Sequence, residues 1–346
     1  MKKGISSNEF TERLDLKEDF AIGLILGDSR IEENVANKLA EILGGTIGFW
    51  LNRERNYRSE LVRLAKEMKE TEAEEWLRSL SPKSLVKKGW VTLNPGENII
   101  QACLRFFEVQ SIADWRRKYH GELALASFRK SPTFATHLAP TATWFRRCEV
   151  LSQQQDLSGW CPKTFLEKLP EIRELVRLKS PERFFPLLKT ICSSAGVAVV
   201  VEEAPKGCAA SGATRFLSNG RPVIMLSLRH KTDDHFWFTF FHEAAHLLLH
   251  RDAINLDFTD DLKVSVDNAE CEANEFSEKI LIPEEIESEF YSINYNTRRT
   301  GKDILRFARH ARLSPGVVVG QLQFRRNLSW NRLNSYKRHF EFEQFN

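Results

Sequence analysis

The hydrophobic pattern of the chain is dominated by one apolar stretch at residues 236–249, which contains neither glycine nor proline. Its length favours a mostly buried helix over a strand. His242, Glu243 and His246 interrupt the apolar residues and form the sequence His-Glu-Ala-Ala-His. Residues four apart on a helix lie one above the other on the same face, so the two imidazoles would be neighbours. The pattern therefore predicts a buried helix that carries a small polar group.

A second amphipathic helix is predicted at residues 267–282, where Pro283 ends it. Its small and apolar residues recur at helical spacing: Ala269, Ala273, Phe276, Ile280 and Leu281. Another stripe of this helix consists of Glu270, Ala273, Asn274 and Ser277. Glu272 points about 200° away from Glu270 around the helix axis, so the two glutamates face different surroundings.

Strands are predicted before the first helix, in segments rich in β-branched and apolar residues. These segments are residues 196–203, 214–217 and 223–228. Asn219-Gly220, between the last two, is a hairpin signal. Residues 205–213 are predicted to be a flexible loop. The last strand could lie at an edge of the sheet, where it would bind an extended peptide by strand addition, or the strands could simply cover the first helix.

Amphipathic helices account for most of the remaining pattern. They are predicted at residues 61–80, 99–107, 114–128, 137–151 and 303–312. Ser314 and Pro315 begin one more helix, with serine at the N-cap and proline at the first helical position. The predicted fold class is therefore α+β, with mainly helical N-terminal and middle regions and a small sheet beside the first helix.

Two histidines and a carboxylate on an apolar helix are costly to bury unless they have a partner, and a metal ion supplies one. His242 and His246 have the spacing with which one helix offers two ligands to zinc. Glu243 lies one residue round the helix, within reach of a water on the metal without being a ligand. The sequence thus predicts a catalytic zinc site on this helix.

A catalytic zinc of this kind needs a third protein ligand and a fourth position for water. His250 lies one turn beyond the second histidine, but three consecutive turns of one helix cannot surround a tetrahedral ion. Asp252 has the spacing of a metzincin-like third ligand, but that arrangement has glycine where Leu249 stands. Glu270 on the second helix is therefore the predicted third ligand, and Glu272 is the alternative.

Composition and charge indicate an ordinary globular protein. The 346 residues carry a formal net charge of +3 and a pI near 8.5, which says little about nucleic-acid binding. The chain contains no run of about 18 apolar residues, so we expect no membrane span. The N-terminus lacks the apolar core of a signal peptide. The six cysteines show neither metal-site spacing nor a disulfide framework. We therefore expect reduced thiols and a cytoplasmic location.

The two polar helices together resemble the ImmA/IrrE metallopeptidases. The resemblance rests on the H-E-x-x-H helix, on the E-x-x-A-N-x-F pattern of the second helix, and on the short apolar segment ending in proline that follows. Ser277 stands where the family usually has alanine. The resemblance implies a zincin-like peptidase domain in which His242, His246 and Glu270 bind zinc and Glu243 is the general base. The candidate donors to the oxyanion are His230, His235, Tyr291 and Tyr295, among which the sequence does not choose.

The N-terminal part carries a second resemblance. Residues 6–58 contain short helices separated by glycine-containing breaks, and Val35, Leu39 and Ile42 keep helical spacing. They resemble the XRE-type helix-turn-helix of HigA-like antitoxins. The expected recognition helix, residues 17–26, offers carboxylates and apolar groups instead of the side chains that usually contact bases and phosphates. DNA binding is therefore one hypothesis for this domain, and dimerisation or the holding of a partner is the other.

These features predict four domains along the chain. They are a HigA/XRE-like helix-turn-helix domain (1–80), a helical connecting domain (81–185), a zincin-like metallopeptidase domain (186–300) and a C-terminal helical extension that is itself helix-turn-helix-like (301–346). We expect a zinc-dependent endopeptidase of ImmA/IrrE type that cleaves a partner protein. The resemblance implies a repressor or antitoxin as substrate, in stress, mobile-element or phage-defence regulation. Further expected partners are DNA, and a second copy of the chain as a homodimer.

An alternative function also fits the sequence. The chain would then be a DNA-binding transcriptional regulator or HigA-like antitoxin, and its peptidase fold would serve as a sensor or docking module. Such a regulator would keep its activity after loss of Glu243, whereas a peptidase would not.

Overall fold

The computed structural model describes residues 13–14, 20, 24, 29–125, 134–250, 265–293, 300–325 and 327–345. Within these ranges the chain is mainly helical with a small three-stranded sheet, which confirms the predicted α+β class. The chain divides into two compact units, residues 1–76 and 77–346. In the described ranges, no helix has the length and apolar character needed to span a membrane. The four predicted domain boundaries stay predictions.

The helices of the first half are α1 (Glu33–Leu43), α2 (Ile47–Leu80), α3 (Pro82–Lys87), α4 (Ile99–Phe107), α5 (Ile112–Leu125) and α6 (Phe134–Gln153). In the first unit, α1 buries Val35 and Leu39 against Leu14, and Ile42 packs beside them as its helical spacing predicts. The expected recognition helix at residues 17–26 lies outside the described residues apart from two isolated positions. The helix-turn-helix domain therefore stays a prediction.

The helices of the second half are α7 (Pro162–Glu174), α8 (Pro181–Ser194), α9 (Asp233–Leu249), α10 (Ser265–Leu281), α11 (Glu284–Tyr291), α12 (Thr300–His310) and α13 (Pro315–Phe324). Both predicted polar helices are present as α9 and α10, and α10 ends before Pro283. Ser314 caps α13 by accepting a hydrogen bond of 3.1 Å from the Val317 N–H, and Pro315 follows it. Local signals thus placed these helix ends correctly.

The sheet consists of β1 (Ala198–Val201), β2 (Gly212–Phe216) and β3 (Pro222–Leu226), in the order β1-β3-β2. β3 is parallel to β1 and forms an antiparallel hairpin with β2, as Asn219-Gly220 predicts. The expectation that the last strand lies at an edge is wrong, because β3 is central and all five of its residues are buried. A strand buried on both faces reads as a continuous apolar run, and β3 is such a run. The edge strand of this hairpin is β2.

Both faces of the sheet are covered. Val199, Ile224 and Leu226 join a large core with the aromatic residues of α8 and α9, while the alternate strand residues face away from that core. α6 also packs on the sheet, against β1 and β3. α13 packs against α9 and contributes Val317 and Val318 to the same core. The helices after residue 300 therefore share the core that holds α9 in place.

Candidate metal centre and active site

The aromatic face of α9 fixes the direction in which its polar residues point. Trp237, Phe240 and Phe241 are completely buried in the core. The helix cannot rotate without exposing these rings. His242 and His246 are consequently held on the opposite, partly open face, where each side chain keeps 15% of its exposure. The apolar residues of α9 thus orient its histidines.

His242, His246 and Glu270 form a compact group of three donors. The Nε2 atoms of the two histidines lie 3.0 Å apart. The Glu270 carboxylate places one oxygen 3.3 Å from His242 Nε2 and the other 3.4 Å from His246 Nε2. Ligands of a tetrahedral zinc with bonds of about 2.0–2.1 Å lie about 3.3 Å from one another. The separations and the chemistry of the three donors therefore fit a zinc ion.

The alternative ligands fall elsewhere. Glu272, on the other side of α10, directs its carboxylate to the His250 ring at 2.9 Å. His250 follows the last residue of α9, and its Nδ1 lies 3.1 Å from His246 Nδ1 rather than in the donor group. Asp252 lies outside the described residues. Glu270 is thus the carboxylate that the described residues bring to the two histidines.

A contact that sequence reasoning missed involves Asn274. Its Oδ1 lies 3.0 Å from His242 Nδ1, on the ring edge opposite the donor group. A signal for this contact existed, because Asn274 shares a helical stripe with Glu270, one turn away. Both histidines therefore have a hydrogen-bond partner behind them, which fixes the orientation of each ring.

The electrostatics of the donor group favour a cation. Burial alone would lower the pKa of His242, but its hydrogen bond with Glu270 and the charges of Glu243 and Glu270 outweigh burial and raise it. Hydrogen bonds from the two histidines hold the pKa of Glu270 well below its usual range. An environment that stabilises positive charge at the histidines is the environment that a bound metal ion requires.

Glu243 lies between the donor group and the edge strand. The residue is only 7% exposed, and burial raises the pKa of its carboxyl group although the two neighbouring histidines oppose that shift. Gly212, the first residue of β2, packs directly against Glu243 and Thr239. The loop predicted at residues 205–213 is too long, because Gly212 and Ala213 belong to the strand. A glycine within a strand often marks a place where another segment lies close to the backbone, as α9 does here.

The described candidates for the oxyanion donor make other contacts. His230 stacks on His235 with ring centroids 4.0 Å apart, and both line a small recess beside Thr239. His235 precedes His242 by two helical turns, about 10 Å along the axis. The Tyr291 hydroxyl accepts a hydrogen bond from Arg325. Tyr295 lies outside the described residues, so the oxyanion donor stays unassigned.

Similarity to known proteins coincides with this region of the chain. Residues 192–322 match the Peptidase_M78 family model, the IrrE N-terminal-like domain. The match covers a little over a third of the 346 residues and includes the sheet, α9 and α10. It supports the ImmA/IrrE resemblance and a metallopeptidase-type domain in this part of the chain. The comparisons found no significantly similar curated protein and no significantly similar solved structure.

Proposed function

We propose that this protein is a zinc-dependent endopeptidase of ImmA/IrrE type, which hydrolyses a peptide bond in a partner protein. The observation that carries the proposal is the placement of His242, His246 and Glu270 at the mutual distances of zinc ligands. Glu243, a carboxylate that is not part of this group, lies directly beside it on α9. A purely structural zinc site has no need of such a neighbour. The IrrE N-terminal-like match over the same residues supports this function.

The chemistry follows from the donor set. His242, His246 and Glu270 would hold the zinc ion, which would lower the pKa of a water molecule and polarise a carbonyl group. Glu243 is the general base, which takes a proton from the attacking water and transfers it to the leaving amine. Asn274 contacts the Nδ1 atom of His242, and His250 contacts the Nδ1 atom of His246. These contacts orient the two imidazole rings.

The edge strand β2 offers a place for an extended substrate. β2 pairs with β3 along one edge and lies at the edge of the three-stranded sheet, and we propose that a further strand adds beside its first residues, Gly212 to Thr214. β2 begins at Gly212, beside Glu243, so a peptide added to this edge would run past the general base. Strand addition recognises main-chain groups, and the recess lined by Ser211 and Thr239 could then hold one side chain.

A repressor or antitoxin is the substrate that we propose on the resemblance to the ImmA/IrrE metallopeptidases. Cleavage would release a stress, mobile-element or phage-defence response. The N-terminal helix-turn-helix would serve to bind DNA, a partner or a second copy of the chain.

The proposed activity can be tested with a peptide library prepared from a bacterial proteome. Wild type and Glu243→Gln are incubated with the library in the presence of zinc, and new peptide ends are identified by mass spectrometry. We expect cleavage by wild type and a loss of about 100-fold or more in Glu243→Gln. His242→Ala should lose both cleavage and zinc. Equal cleavage by wild type and Glu243→Gln would overturn the proposal.

A further inference from the structure

Behind the donor group, three side chains form a chain of contacts. His246 Nδ1 lies 3.1 Å from His250 Nδ1, and His250 Nε2 lies 2.9 Å from the Glu272 carboxylate. The side chain of His250 is only 10% exposed, whereas that of Glu272 is 61% exposed. The spacing in the sequence makes His250 and Glu272 alternative zinc ligands. In the structure they contact each other instead, and His250 also contacts His246.

Only one arrangement of protons satisfies all of these contacts together with zinc binding. Two Nδ1 atoms form a hydrogen bond only when one of them carries a proton and the other does not. The Nε2 atom of His246 faces the donor group, so it must be free of a proton to bind a metal. The proton of His246 then lies on Nδ1 and is donated to His250 Nδ1.

The same reasoning fixes the proton of His250. Since its Nδ1 accepts from His246, a neutral His250 carries its proton on Nε2, which points to Glu272. In the opposite arrangement His250 would donate from Nδ1, and its bare Nε2 would face the negative Glu272 carboxylate. That arrangement would also place the His246 proton on Nε2, where it blocks the metal. Between the two neutral arrangements, the carboxylate of Glu272 therefore disfavours the one that cannot bind zinc.

We propose that Glu272 and His250 are positioning residues, which act in series to hold His246 in the tautomer and ring orientation that binds zinc. This inference rests on the proposed zinc site. It assigns a function to an exposed carboxylate that is not one of the three donors. The partner of His242 is simpler, because the Asn274 oxygen accepts directly from Nδ1. The two histidine ligands thus have different hydrogen-bond partners, an asparagine for His242 and a second histidine for His246.

The test measures zinc affinity by competition with a chelator, and the visible absorption spectrum of the cobalt-substituted protein. Glu272→Ala and His250→Ala should each weaken zinc binding by about 10- to 100-fold and change the cobalt spectrum. His250→Gln should restore most of the affinity, because its amide keeps one acceptor and one donor. Glu275→Ala is the matched control, since Glu275 is exposed on the same helix one turn away, and it should bind zinc as wild type does.

The outcome that overturns the inference is wild-type zinc affinity and an unchanged cobalt spectrum in Glu272→Ala. This variant removes an exposed side chain, so misfolding is not expected to hide the result. His242→Ala separates the two proposals. If it loses zinc while Glu272→Ala and His250→Ala do not, only the positioning role fails. If His242→Ala itself binds zinc as wild type does, the proposed function fails as well.

Discussion

Gly212 packs against Glu243 without room for a side chain. A Cβ atom on residue 212 would lie 2.9 Å from the Glu243 Oε1 atom and would overlap the Thr239 methyl group. The first residue of the edge strand therefore packs closely against the general base that we propose. This contact joins the surface expected to bind the substrate to the residue expected to move its protons.

Gly212→Ala should impair cleavage while leaving the metal in place. The new methyl group must displace either β2 or the Glu243 carboxylate, and a shift of about 1 Å at a reacting group can cost about 100-fold in rate. Zinc content should equal that of wild type, because Gly212 does not contact the three donors. Gly159→Ala is the matched control, since a Cβ there meets nothing within 4 Å. Unchanged turnover in Gly212→Ala would contradict the proposed position of the substrate.

Zinc should stabilise the folded protein through His242. Removal of the metal with a chelator is expected to lower the melting temperature, and added zinc should restore it. A ligand at about 100 times its Kd contributes about 2.7 kcal/mol to the free energy of unfolding. His242→Ala should show no response to zinc, whereas His310→Ala, which removes an exposed histidine elsewhere, should respond as wild type does. A zinc response that survives in His242→Ala would argue against the assigned ligands.

Glu149 of α6 contacts two arginines, one on the same helix and one on the edge strand. Its side chain is 6% exposed and lies 3.2 Å from Arg146 and 2.6 Å from Arg215 of β2. Glu149→Gln would remove the buried carboxylate that Arg146 and Arg215 share, while Arg146 would keep its pair with Glu108. The loss of these charge-assisted contacts should lower the free energy of unfolding by about 2 kcal/mol. Glu203→Gln breaks an exposed pair with Lys88 and should cost less than about 1 kcal/mol. Urea denaturation of both variants measures the free energy of unfolding. Equal decreases in the two variants would contradict a structural role for Glu149.

Glu97 provides a test of pH dependence away from the metal site. Hydrogen bonds from the Arg105 guanidinium and from the Asn94 N–H hold the pKa of Glu97 at about 2, below its ordinary 4.5. A depressed pKa stabilises the folded state above pH 4.5, and that stabilisation is lost as the pH falls towards about 2. The stability difference between wild type and Glu97→Gln, followed by urea denaturation, should therefore shrink below pH 4.5. A difference that does not change with pH would contradict this ion pair.

The donor group could be predicted from the sequence because its signals are local. The spacing of His242 and His246 determines their common face on a helix, and Pro283 determines where α10 ends. The choice of Glu270 over Glu272 needed only the helical repeat and the family resemblance. The described residues bring Glu270, not Glu272, to the two histidines.

Other features depend on packing between segments and could not be read in this way. The order of the strands depends on which faces are covered, so β2 and not β3 lies at the edge. The contact of His250 with Glu272 depends on how α9 and α10 lie against each other, which no local pattern specifies. Gly212 gave a signal, but the nearby glycine and proline residues favoured a loop there.

The most direct test of the account compares wild type with Glu243→Gln in cells, with neighbouring operon proteins tagged and probed for fragments. The zinc content of both purified proteins is measured in parallel. The account predicts about one zinc in each protein and a fragment only with wild type, which would also identify the substrate. The contradictory result is zinc in both proteins, no cleavage by either under stress, and full biological activity of Glu243→Gln. The chain would then act as a regulator and not as a peptidase.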